Sequence, residues 1–484
     1  MSWRAMEWRL ICSLMLTLPL SGCDYGDRNK DPVANNDTAI TAREVPVTIN
    51  VLANDSDPDG DPVQLVAWTQ GSHGEVIRDS EGTLTYTPDE GFDGGDSFTY
   101  TIDDEHGGQA TGTVTVTVLP NPGVVVDGTL YAVRQFIPAG FVDAVAWGIN
   151  DRGQIAGAGL SEDENEFPFF LDVNGDLTLI EVPSLPGRAT GINSNGLVSG
   201  VFFMPVVHEE TAGSRMRPQQ DEDHDHEHDE AEELFGRSFL WDANTRSLVA
   251  LYQIVGARAT LGFKVNKAGQ VVGQVEFPVS DEDDEEDHGD HDHEHGEKVS
   301  LGFIRQADGS TNTFTVPGSS NTFLGGLNNR GQIVGGFTVD DGSARPRTGF
   351  LRHADGTFTT FNVLDEENTP LPTQADDIND QGVIVGYFTP ESHDHDHDQE
   401  HTEEDAPVQP FLGKPDGTIF RFSIPHATQA RFSGINNDDV ISGFSVDEAG
   451  VGQALVLTPV QPAPNTTYHD TPAEGEEHDH DHAH

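Results

Sequence analysis

The chain has 484 residues, 83 acidic and 25 basic, for a formal charge of −58, and so large a deficit of Lys and Arg excludes nucleic-acid binding through a basic surface. Its 52 glycines and 28 prolines are more turn formers than helical proteins tolerate, which points to an all-β, loop-rich chain long enough for two or three domains. Cysteine occurs at Cys12 and Cys23 alone, so a chain processed beyond residue 22 has no internal disulfide and no zinc site built from thiolates.

The first predicted element, residues 1–22, is an export signal. Arg4 and Arg9 precede an apolar run over 10–20, too short to span a bilayer, and the run ends in Leu20-Ser21-Gly22-Cys23. These residues resemble a bacterial lipobox. The resemblance implies cleavage before Cys23 and acylation of its thiol and amine, which would hold the chain at the bacterial cell envelope by a lipid anchor only. Two other readings stay open: a plain secretory signal with an accidental cysteine, and a short membrane helix. The leaflet is open as well, because Asp24 bears on retention only under the rule of enteric lipoproteins.

Residues 23–35 are polar and read as a tether. From 36 to 118 apolar and polar side chains alternate in short runs, at Val47–Val51, Thr83–Thr87, Ser97–Ile102 and Thr113–Val118. Period two with β-branched and aromatic residues predicts strands with one buried face, hence a β-sandwich. The residues Asn54-Asp55-Ser56-Asp57-Pro58-Asp59-Gly60-Asp61, Tyr86-Thr87-Pro88, Gly91-Phe92-Asp93-Gly94, Asp96-Ser97-Phe98-Thr99-Tyr100 and Asp103-Asp104 resemble, in that order, the cadherin-like, Ig-like modules of bacterial surface proteins. Asp55, Asp57, Asp59 and Asp61 supply hard oxygen ligands at alternate positions, with Asp103 and Asp104 able to approach them, which suits calcium. The equal alternative is that these aspartates shape Asx turns without any metal.

Beyond Pro120 the chain repeats itself. Six copies of a strand–turn–strand pattern begin at Gly148, Gly191, Lys264, Gly326, Asp377 and Gly434, each with an asparagine at its third position: Asn150, Asn193, Asn266, Asn328, Asn379 and Asn436. An aromatic strand follows every copy but the last. With three acidic inserts removed (205–236, 279–298 and 391–409), the period falls to about 40 to 45 residues, that of a four-stranded propeller blade. The pattern resembles the HAF family of extracellular repeats over about 125–460. The expectation is a six-bladed β-propeller in which Thr129–Phe136 pairs with Gln453–Leu457 to close the ring. A β-solenoid is the structural alternative. The recurrent Asn and Gly residues are expected to serve the left-handed conformations of tight turns.

The unusual chemistry lies in four tracts that hold fifteen of the 21 histidines. These are His224, His226 and His228; His288, His291, His293 and His295; His393, His395, His397 and His401; and His478, His480, His482 and His484, the last group in a tail expected over 461–484. Alternation of His with Asp puts imidazoles on one side of an extended chain, so two or three can fold round one ion. Imidazole beside carboxylate suits zinc or another divalent transition metal. The acidic field also favours imidazolium, so protons compete and capture weakens below about pH 6. Blocks of like charge without apolar residues do not fold, so the inserts are expected to be disordered loops. The three internal tracts each follow the second strand of a blade and are expected to leave from one face. Two functions fit: a non-catalytic envelope protein that scavenges, buffers or delivers metal, in concert with a metal transporter, or a calcium-stiffened adhesion scaffold whose propeller binds a surface protein or glycan. Neither a nucleophile elbow nor an HExxH helix occurs, so no enzymatic activity is expected.

Overall fold

The computed structural model describes residues 29–79, 82–205, 234–278, 298–339, 347–390 and 407–469. They form an all-β molecule in which the one helical element is a short turn at Val51–Asn54. The N-terminal part is an Ig-like sandwich. One sheet joins Gln64–Trp68, Gly94–Asp103, Gln109–Val126 and Asp37–Arg43, the last pair being parallel. The facing sheet joins Gly74–Arg78, Leu84–Pro88 and Val47–Ile49. Alternation produces the core directly: along Gly94–Asp103 the buried residues are Asp96, Phe98, Tyr100 and Ile102, and these meet Tyr86, Leu84 and Ile49 of the other sheet.

Gln109–Val126 runs on past the sandwich, turns at Asp127-Gly128, both with positive φ, and pairs with Thr129–Phe136. That strand is the outermost of a propeller blade. Five blades are contiguous four-stranded sheets over 143–179, 187–252, 259–314, 321–361 and 373–421. The sixth joins Gln429–Ile435, Ile441–Val446 and Gly452–Pro459 to Thr129–Phe136, with Ala454 opposite Phe136 and Leu457 opposite Val133. The closure expected from the sequence is the one observed.

The chain does not leave the molecule after the last blade. Residues 460–469 return to the sandwich, where Thr466–Thr467 pairs with Val47–Ile49 as a fourth strand. Tyr468 is buried in the sandwich core and donates to the Ile40 carbonyl. The tail expected from 461 therefore has its first segment docked on the sandwich. Apolar Ala463 and Tyr468 explain why, since a purely polar tail has nothing to bury.

The recurrent asparagines do a different job from the one expected. None has positive φ; the left-handed turn position is taken by Gly153, Gly196, Gly269, Gly331 and Gly382, and by Asp439 in the sixth copy. Each Asn Oδ1 accepts the N–H groups two and four residues on, as Asn150 does from Arg152 and Gln154, each at 3.0 Å. Each Nδ2 then donates to the backbone carbonyl of the next blade's asparagine: 150 to 193, 193 to 266, 266 to 328, 328 to 379, 379 to 436, and 436 back to 150. Six buried side chains thus stitch the ring at one face. The glycine that ends each copy is also not a turn residue. A Cβ on Gly157, Gly200, Gly273 or Gly335 would lie 2.2–2.8 Å from the ring of Phe169, Phe239, Phe303 or Phe350, so the glycine is what lets the aromatic of the third strand lie flat across the second.

Candidate functional site

All six turns between first and second strands sit on the asparagine face, so the connections between second and third strands lie on the opposite one. The strand ends flanking the inserts are on that opposite face, as the pairing of Pro205 with Leu234 and of Pro278 with Lys298 requires. His224 through His228, His288 through His295, His393 through His401 and His478 through His484 themselves lie outside the described residues, as does Cys23. Among the described residues no three His, Cys, Asp or Glu side chains stand together as a metal cage.

The sandwich aspartates are placed and are largely engaged by protein donors. Asp57 Oδ1 accepts the N–H groups of Asp59 and Asp61, and Asp59 pairs with Lys30. Asp61 lies 3.4 Å from His106 Nδ1. Asp103 accepts from Glu105 and Gln109, and Asp104 from Asn29, His106 and Gly108. Asp55 accepts from Asn35 and from the Tyr100 hydroxyl. These bonds shape the turns, while Asp55 Oδ2 and Asp57 Oδ2 are buried without a hydrogen-bond partner. A residue outside the predicted set, Asp37, is buried beside Asp55 with Oδ2 unpartnered. Burial, partly opposed by the Tyr100 hydrogen bond and reinforced by Asp55, pushes its carboxyl up to about 6.

The propeller axis carries two features that the sequence reading missed. The first is a plug. Four copies of the repeat begin with glycine, and these glycines face one another across blades so closely that Cβ atoms on Gly148 or Gly434 would come within 3.0–3.1 Å of a neighbouring Cα. In the third and fifth copies the same position holds Lys264 and Asp377. Lys264 Nζ lies 3.5 Å from Asp377 Oδ2, both side chains nearly buried, and donates to the carbonyls of Trp147 and Ser433 on two further blades. Burial pushes the Asp377 carboxyl up, and Lys264 opposes it. Two opposite charges breaking a glycine consensus at equivalent positions were a legible signal of contact across the axis.

The second feature is a cavity of about 250 Å³ that lies above the plug, toward the face from which the inserts depart. Its walls come from the first strands of the blades, near the strand starts, and from the ends of second strands. Phe203, Phe263 and Phe323 give it apolar sides. Arg431 binds the buried Asp376 through two hydrogen bonds of 2.6 and 2.9 Å and lies over the rings of Tyr387 and Trp147. Burial pushes the Asp376 carboxyl up, and Arg431 works against that. Arg347 lies over the Phe323 ring, 4.5 Å from its centroid, and donates to the Tyr387 hydroxyl at 3.3 Å. Three buried polar atoms on this wall have no hydrogen-bond partner: Trp147 Nε1, Gln374 Oε1 and Ser433 Oγ.

Residues 29–117 match the family model of a bacterial Ig domain. A 108-residue stretch is 36% identical to the protein GAMETE EXPRESSED 2 of Arabidopsis thaliana, covering 22% of this chain and only 12% of that protein. Among solved structures, the β-propeller domain of the Trilobed protease from Pyrococcus furiosus aligns over 84% of this chain and 99% of its own at 12% identity, with a TM-score of 0.36. An acylaminoacyl peptidase of Pyrococcus horikoshii aligns over 83% and 52% at 10% identity, TM-score 0.37. A lectin of Aleuria aurantia aligns over 70% and 100% at 10% identity, TM-score 0.32. These are likenesses of fold.

Proposed function

We propose that the chain is an exported lipoprotein of the bacterial cell envelope, anchored through Cys23, that binds a divalent transition metal, zinc foremost, through its four His/Asp tracts for scavenging, buffering or delivery. The observation that supports this reading most is the shared insertion point: in blades 2, 3 and 5 the tract enters between the second and third strands, so three imidazole-rich segments are tied to one rim of a rigid ring. A rigid ring raises the local ligand concentration of tethered segments without supplying a preformed cage. Affinity is accordingly nearer micromolar than picomolar, because the ligands are ordered only on binding.

The test is calorimetric titration of the mature chain with zinc at about pH 7.5 and about pH 5.5. Several ions bind per chain at the higher pH and far fewer at the lower. Deleting 221–233, 281–298, 392–405 and 476–484 together abolishes binding with the β-type circular dichroism unchanged, and single deletions lower the stoichiometry in steps. Magnesium does not compete, since imidazole is a poor ligand for a hard, strongly hydrated ion. If the fourfold deletion binds as much zinc as the parent, the metal reading is lost. The second reading, a scaffold whose propeller binds a protein or glycan, then takes its place.

A further inference from the structure

We infer that the axial cavity is a binding site for a small amphipathic carboxylate, seated with its apolar body against Phe203, Phe263 and Phe323 and its anionic end at Arg347 beside Arg431. The inference is independent of the tracts and of any metal.

Charge carries the first part of the argument. Four cationic side chains line the cavity, Arg188, Lys264, Arg347 and Arg431, against one carboxylate, Asp376. Arg188 is paired with Glu166 at 2.7 Å, Lys264 with Asp377, and Arg431 with Asp376. Arg347 has neutral side-chain partners, the Tyr387 hydroxyl and the Phe323 ring, and no carboxylate forms an ion pair with it among the described residues. Among the described residues the carboxylate whose charge reaches Arg347 is Asp376, and that carboxylate is already held by Arg431. In a chain of net charge −58, an arginine placed so at the wall of a largely apolar cavity keeps donors for an external anion, and a planar guanidinium matches a carboxylate in two parallel hydrogen bonds.

The orphaned polar atoms carry the second part. Gln374 is 4% exposed and Ser433 2%, yet Gln374 Oε1, Ser433 Oγ and Trp147 Nε1 have no partner. Buried polar groups left unpaired destabilise a fold, so several of them on one cavity wall point to a partner that the protein itself does not supply. Two of these atoms can donate, which again suits an acceptor-rich group such as a carboxylate. The remaining wall is aromatic, which favours an apolar body over a polyol. Arg347 is also held in place: its carbonyl accepts from Thr373 N at 2.9 Å and Asn362 Nδ2 at 3.1 Å, so its backbone is fixed to blades 4 and 5 before any ligand arrives. An adjoining cavity of about 440 Å³ shares Arg347, Gln374, Tyr387 and Arg431.

The experiment is calorimetric titration of the full mature chain, in chelator so that bound metal plays no part, with phenylacetate, benzoate and hexanoate, and with phenylacetamide and glucose as neutral comparators. At least one acid binds, and phenylacetate binds at least tenfold more tightly than its isosteric amide, a difference of about 1.4 kcal/mol. Arg347→Gln removes that tenfold preference while leaving the thermal midpoint close to that of the parent. The acid–amide comparison on the unaltered chain stands even where the variant does not fold. Equal binding of phenylacetate and phenylacetamide, or no binding of any of the acids up to about 10 mM, overturns the inference. Binding of glucose with none of the acids overturns it too, in favour of a glycan site.

Discussion

At the scale of single residues, the most consequential atoms are those that satisfy more than one neighbour. Each ring asparagine accepts two hydrogen bonds inside its own turn and donates one to the next blade, Asn150, Asn266 and Asn328 donating also to the glutamine four residues on, so the amide cannot be replaced by its nearest analogue. In Asn328→Asp the carboxylate still accepts from Arg330 and Gln332 but faces the Asn379 carbonyl without a donor. A loss of about 1–3 kcal/mol, read as a lowered midpoint in chemical unfolding, is the expected outcome. Asp37 acts in the opposite sense. Its folded pKa is raised to about 6 from an ordinary value of 3.8, so between those values the native state holds a proton that the unfolded state has released, and stability falls as pH rises from about 4 to 6. Asp37→Asn removes this dependence and raises stability at neutral pH by up to about 3 kcal/mol, checked by unfolding of both proteins across that pH window.

Elements show most clearly what a sequence discloses. The repeated strand–turn–strand copies were readable because each blade repeats one local pattern, and the pairing of Thr129–Phe136 with the last blade followed from counting strands. The docked tail was not readable: Thr466–Thr467 is too short to show periodicity, and its partner Val47–Ile49 is some 400 residues away in sequence. The role of the asparagines escaped for a related reason. An Asn-Gly-rich turn accounts for itself locally, and nothing local reveals that Nδ2 reaches the next blade. Arg347, Gln374 and Arg431 meet only because blades 4, 5 and 6 are neighbours round an axis. Truncation after Val460 exposes the edge of Val47–Ile49 and removes Tyr468 from the sandwich core. A lower thermal transition of the sandwich with zinc stoichiometry reduced only by the tail's share is the result expected from calorimetry.

For the molecule as a whole, the Lys264–Asp377 pair ties blades 1, 3, 5 and 6 together across the axis. Lys264→Ala strands a buried carboxylate and costs about 3–5 kcal/mol. The double change Lys264→Gly with Asp377→Gly restores the residue that the other four copies carry and is much milder than the single one, a non-additivity that a double-mutant cycle in denaturant measures.

The joining of the first propeller strand to the last blade also sets a timetable. Gln135 and Ser445, which share a hydrogen bond, are 310 residues apart. A chain that emerges from its N-terminus therefore displays Thr129–Phe136, an open β-edge, through the appearance of five complete blades before its partner arrives. The sandwich waits too, because its fourth strand is among the last described residues to appear. Neither domain has all its described strands until Gly452–Pro459 and Thr466–Thr467 have appeared, and a chain short of them carries two unpaired edges. The density of acidic residues along the intervening chain, by repulsion between copies, keeps such edges from finding each other.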